Sequence, residues 1–193
     1  MVATRTPRIV VGVDGSMTSL AAVREAVSEA RRRRAELHIV HVRAPVSVKP
    51  APGSVSSPVA AERRASANAA ADAQAQGLIA ASIQQAMGEL PAGLDVQRIV
   101  AVGRPGPMLT ERCWHDDDLL VIGNTRTRRW RHPLHRSVSR YCRAHALSPV
   151  LAVPPSQLAR ALHRRQLPRR SMLPRDLWKE FDAATVAHSQ AAR

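Results

Sequence analysis

The chain has 193 residues, 45% of them hydrophobic and 3% aromatic, and carries a net charge of +14. That length and apolar content suit one core-bearing domain with room for an extension, and no run of about 18 apolar residues marks a membrane span. Two cysteines, Cys113 and Cys142, make no disulfide framework, so both are expected as small buried hydrophobes in a reducing, cytoplasmic setting.

The first residues, MVATRTPRIVVGVDGS, enter a strand-like run without a signal-peptide core. RIVVGV at 8–13 is a continuous apolar run once past Arg8, as a strand buried on both faces is. Asp14-Gly15-Ser16 ends it, with Ser16 as a helix cap. Leu20, Val23, Val27 and Ala30 then recur at helical spacing. Arg31–Arg34 close that helix, where cations favour the C-terminal end of the dipole, so they need no nucleic acid to explain them. ELHIVHV at 36–42 predicts a second buried strand. The Pro- and Ser-rich residues 43–58 predict a loop, and the alanine-rich residues 59–87 a helix with Leu78, Ile79, Ile83, Ala86 and Met87 on its apolar stripe.

LDVQRIVAV at 94–102 predicts a third strand. Gly103-Arg104-Pro105 predicts a turn, and a short helix through Leu109 and Cys113 follows. DLLVI at 118–122 is a fourth strand, Ser137 to Ala146 a helix, and PVLAV at 149–153 a fifth strand. Strands alternating with helices imply right-handed crossovers. The expected fold is therefore α/β: a five-stranded parallel open sheet with helices on both faces, spanning residues 1–155. Residues 156–193, with eight basic and three acidic side chains, form a basic amphipathic helical extension around Leu158–Leu162 and Leu177–Phe181.

Such a sheet binds ligands beyond the carboxyl ends of its strands, at the switch point. The segments expected to meet there carry Asp14, Val42 and Gly123, with Ser137 at a helix N-terminus. A carboxylate repels phosphate and suits ribose hydroxyls, which puts a nucleoside near Asp14 and phosphates near Ser137.

These segments resemble the universal stress protein family over roughly residues 7–154. The resemblance is carried by IVVGVDGS, HIVHV, GRPGPMLTERC, DLLVIGN and SVSRYCRAHALSPVLAVP, in that order and spacing. It implies a five-stranded parallel α/β domain, commonly dimeric, in which some members bind ATP and others act as regulatory proteins without it. ATP-binding members carry G-x2-G-x9-G-[ST]. Aligned from Gly123, the second glycine falls on Arg126, the third on Arg136 and the hydroxyl on Ser137. Asp14 matches the nucleoside-side aspartate, Val42 a residue of the adenine pocket, and Val138 follows the motif serine.

Glycine lets backbone N–H groups approach phosphate closely, and arginine does not. Arginine is nevertheless a bidentate phosphate ligand itself. The two side chains either fill the cleft and exclude a triphosphate, or swing outward and replace backbone contacts with charge-assisted ones. Loss or weakening of the ordinary ATP mode is the expectation.

The loop TRTRRWRHPLHR sets Trp130 among arginines, a pattern that grips single-stranded nucleic acid; a solvated loop is the plainer reading. His132, His135 and His145 match no metal-ligand spacing. His38 and His41, three apart on a strand, face opposite sides and make no pair. Asp116-Asp117-Asp118 lies at the amino end of the fourth strand and reads as a solvated turn. Ser16 lacks a positioned base, and no catalytic residue is assigned.

The expected function is a non-enzymatic stress or signalling module with an altered nucleotide cleft. An ATP switch built on arginines is the second reading, and an adaptor for nucleic acid or acidic partners the third. A homodimer is expected through the strand at 149–153, with Leu151→Lys weakening the pairing if that side chain faces the partner.

Overall fold

The computed structural model describes residues 5–47, 58–89, 92–124 and 138–155. The proposed extension, residues 156–193, and the arginine-rich loop, residues 125–137, lie outside the described residues. The elements run β1 (Arg8–Gly12), α1 (Met17–Arg33), β2 (Glu36–Arg43), α2 (Pro58–Met87), β3 (Val96–Val102), α3 (Pro105–Thr110), β4 (Leu119–Gly123), α4 (Val138–His145) and β5 (Val150–Val153). All nine match predicted segments to within a few residues. The short third helix is the main difference in extent: it stops at Thr110, and Cys113 falls in the turn beyond it.

The five strands form one parallel sheet in the order β3-β2-β1-β4-β5. β1 is central because RIVVG can be buried on both faces; Ile9, Val10 and Val11 are wholly inaccessible. Side chains alternate between two cores. Ile9 and Val11 of β1 and Leu37 and Ile39 of β2 meet α1 and α2, through Val23, Val27, Ile79 and Ile83. Val10, Val40, Leu120 and Ile122 meet Leu109 of α3 and Cys142 of α4 on the other face. Cys113 and Cys142 are both buried, as expected, and burial first of all pushes their thiols up to about 12 and about 11.

Ser16 caps α1 as predicted, its Oγ accepting the Ser19 N–H at 3.2 Å. At the other end Arg32 and Arg33 both bond the Glu29 carboxylate, which confirms a structural role for that part of the arginine cluster. Arg34 takes the left-handed C-cap conformation, with φ of 52°.

Asp116-Asp117-Asp118 corrects the sequence reading. Asp116 and Asp117 are exposed, but Asp118 is fully buried. Its carboxylate accepts from the side chains of Arg5 and Arg8 and from the Arg8 N–H at 3.1 Å. Charge alone carries no direction; the residue that leads into β4 turns inward, toward Arg8 at the start of β1 and Arg5 just before it.

Beside this cluster lies His38, buried on the α3 face of β2. Burial lowers its pKa most, Arg8 and Arg112 lower it further, and the Glu36 carboxylate, 3.4 Å from Nε2 and an acceptor for its proton, opposes them. Its folded value lies below its ordinary 6.5, so the fold disfavours the imidazolium. Its contribution is fully present above that value and is lost as pH falls below it, because the unfolded chain then takes up the proton first. Stability is expected to drop on acidification from neutral pH, and His38→Gln is expected to flatten that slope. A chemical-denaturation series in both proteins measures it, and an identical slope removes His38 as the cause.

Candidate functional site

The chain fills the sheet outward in one direction through β2 and β3, then returns to the other side of β1 for β4 and β5. The switch point therefore lies at the carboxyl ends of β1 and β4. The Val13 N–H donates to the Val40 carbonyl at 2.9 Å, one step beyond the Gly12–Val40 register pair. Continuing that register sets Asp14 beside Val42. On the other side Val11 pairs with Val121, so Gly123 stands level with Val13. Asp14, Val42 and Gly123 thus share one end of the sheet on three adjacent strands, as the sequence implied.

Asp14 is exposed and held in a tight turn. Gly15 takes φ of 78°, open to glycine at little cost, and the Ser16 N–H donates to Asp14 Oδ1 at 3.0 Å. Partial burial works to raise the Asp14 carboxyl, but hydrogen bonds from Ser16 and Ser19 outweigh it and hold the group below its ordinary value. At neutral pH it is an ionised, pre-aimed acceptor, suited to a pair of hydroxyl donors. Ser16 Oγ accepts the Ser19 N–H and lies 3.0 Å from Thr18 Oγ1, which ties that hydroxyl to the helix cap.

Val42 packs with Ile99 and Met108 on the α3 side of the sheet. Its neighbours His41 and Arg43 alternate with it along β2, and this end of the strand, Val42 included, bounds with Ala71, Ala75 and Leu78 of α2 an open cleft of about 350 Å³. The largely buried Arg43 guanidinium is committed to α2: Nε donates to Asp72 Oδ1 at 2.7 Å and Nη2 to Asn68 Oδ1 at 3.3 Å. His41 and Arg43 were missed as contributors to this end of the sheet. The period of two along β2 could have placed both on the α2 face, but not their partners.

Gly123 sits against the first turn of α1. A Cβ there would lie 2.8 Å from the Thr18 carbonyl carbon, 2.9 Å from its oxygen and 3.0 Å from the Ser19 nitrogen. These are backbone atoms of a capped helix start and cannot give way cheaply. Val138 opens α4 and is exposed. Arg126, Arg136 and Ser137 lie outside the described residues, as do Trp130, His132 and His135. His145 stacks on Tyr141, with ring centroids 4.3 Å apart.

The sequence pattern of the universal stress protein family matches residues 6–154. Similar solved structures include a universal stress protein in complex with cAMP, 26% identical, covering 78% of this chain and 98% of that one, with a TM-score of 0.49. The universal stress protein UspA from Lactobacillus plantarum is also 26% identical, covering 78% and 99%, with a TM-score of 0.49. The hypothetical protein MJ0577 is 17% identical, covers 78% and 97%, and shares the fold at a TM-score of 0.55. Among curated proteins none matches. Among the described residues, no helix is long and apolar enough to cross a membrane. With its parallel sheet in the order β3-β2-β1-β4-β5, its switch-point aspartate and a family match over most of its length, the chain belongs to the universal stress protein family.

Proposed function

We propose that this protein is a non-enzymatic regulatory module of the stress-response type, whose cleft keeps a nucleoside end and has exchanged the ordinary phosphate loop for arginines. Gly123 carries the reading. It is the one glycine kept from the phosphate motif, and the backbone of Thr18 and Ser19 already requires it for packing. Its presence is therefore no sign of phosphate binding. Of the remaining motif positions only Ser137 is kept, with arginine at 126 and 136. On the nucleoside side, the ionised and pre-aimed Asp14 beside Val42 supports a ribose contact.

Calorimetry on the full chain tests this. ATP is expected to bind weakly, and Arg126→Gly with Arg136→Gly to tighten it at least about tenfold, or about 1.4 kcal/mol. Tight native binding that the glycines leave unchanged or worsen would instead establish an ATP switch in which arginine holds the phosphates.

A homodimer through β5 belongs to the same proposal. β5 is an edge strand. The carbonyls of Pro149 and Val153 accept from the N–H groups of Leu120 in β4 and Asn124 just beyond it, at 3.0 and 2.7 Å, so the alternate residues Val150 and Ala152 turn their backbone groups to the open edge. Leu151 packs on the molecule's own α1–α2 core, so a lysine there would disturb the subunit itself. Ala152→Pro removes an outward N–H and is the cleaner probe. The native chain is expected to scatter light as a dimer at micromolar concentration and the variant to shift toward monomer. A native chain that stays monomeric rules the pairing out.

A further inference from the structure

At the end of β2 the half-buried His41 ring places Nδ1 2.8 Å from the Val13 carbonyl oxygen. A carbonyl oxygen can only accept, so this ring carries its proton on Nδ1. Val13 is the single residue between β1 and Asp14. Its N–H is already held by the Val40 carbonyl. β2 therefore grips Val13 twice, by backbone at the N–H and by a side chain at the C=O. The Val13 carbonyl and the Asp14 N–H belong to one rigid peptide plane, so fixing the oxygen fixes the direction in which Asp14 leaves the strand. Ser16 supplies the second anchor, through its N–H to Asp14 Oδ1 at 3.0 Å and its cap on α1. Asp14 stands between the two.

We propose that His41 is a positioning residue of the cleft: its Nδ1–H bond to the Val13 carbonyl orients the peptide that leads into Asp14 and so aims the Asp14 carboxylate at the ribose hydroxyls of a nucleoside. The ligand's identity rests on the nucleoside reading above; the positioning does not. His41 and Val42 alternate along β2, and Val42 packs against the core on the α3 side. Its contribution passes through Val13, and it needs no contact with the ligand.

The test compares the native full-length protein with His41→Leu, which removes the donor, and His41→Asn, whose amide N–H sits near the place of Nδ1. Carboxyl NMR follows the titration of Asp14 without any ligand, nitrogen NMR reads the tautomer of His41, and calorimetry measures adenosine as the probe. The native ring is expected to be protonated on Nδ1. In His41→Leu the Asp14 midpoint should move up toward the ordinary carboxylate range and adenosine should bind about tenfold more weakly, with both substantially restored in His41→Asn. A native ring protonated on Nε2, or an Asp14 titration indifferent to His41→Leu, overturns the proposal. Should His41→Leu fail to fold, the native tautomer and the Asp14 titration in His41→Asn decide alone: a native-like midpoint with the Nδ1 tautomer supports the bond, and a displaced midpoint overturns it. An Asp14 that follows His41 in a chain that binds no adenosine keeps the positioning and removes the nucleoside.

Discussion

Asp118→Ala is expected to lower the melting temperature by roughly 6–12 °C, equivalent to about 3 kcal/mol for a chain of this size. The carboxylate is fully buried and accepts from Arg8 Nη2 and the Arg8 N–H, each at 3.1 Å, and from Arg5. Alanine leaves the Arg8 N–H without its acceptor and a partly buried guanidinium without its counter-charge. The Nε of Arg8 already lacks a hydrogen-bond partner, so little is left to compensate. Asp118→Asn keeps the shape and one acceptor and should fall in between.

The pH dependence of this contribution has a definite sign. Burial works to raise the Asp118 carboxyl, but the bonds from Arg5 and Arg8 hold it below its ordinary 3.8. The stabilisation is therefore full above that value and is lost as pH falls through the lower, folded one. Calorimetric melts at neutral pH should show the whole difference between native and variant, and the gap should close in strong acid. A change of less than about 2 °C at neutral pH would mean that the arginines find water or other partners at no cost.

Gly123→Ala is expected to destabilise the ligand-free protein by about 2–3 kcal/mol. The new methyl would enter the space of the Thr18 carbonyl and the Ser19 nitrogen. That turn is pinned by the Ser16 cap and by Ser19 Oγ, which donates to the Ser16 carbonyl at 2.9 Å, so β4 or the whole start of α1 has to move. Gly77 is the control. It lies in the middle of α2 with nothing near the place of its missing Cβ, and alanine there should stabilise by about 0.5–1 kcal/mol through helix propensity. Urea denaturation without nucleotide separates the two. If Gly123→Ala is as stable as native and only ATP affinity suffers, the glycine serves phosphate after all, and the reading of the cleft as degenerate loses its support.

The sequence by itself determined the elements and their alternation. IVVG and LLVIG are apolar without a break, as a strand covered on both faces is, and Ser16 followed by Leu20, Val23 and Val27 marks a capped amphipathic helix. These are local signals, written in spacing and in the chemistry of one turn, and together with the family resemblance they put Asp14, Val42 and Gly123 at one end of a parallel sheet. What each of them touches was decided elsewhere. The neighbour of Gly123 is the backbone of Thr18, more than a hundred residues earlier; Asp118 meets Arg8 at the start of the neighbouring strand and Arg5 just before it; His41 meets the Val13 carbonyl just past the end of β1. Such pairs depend on strand order and register, which the packing of two cores against one sheet fixes only when the whole chain is assembled. Periodicity along a strand says which face a side chain takes, and the tertiary structure alone says what waits for it there.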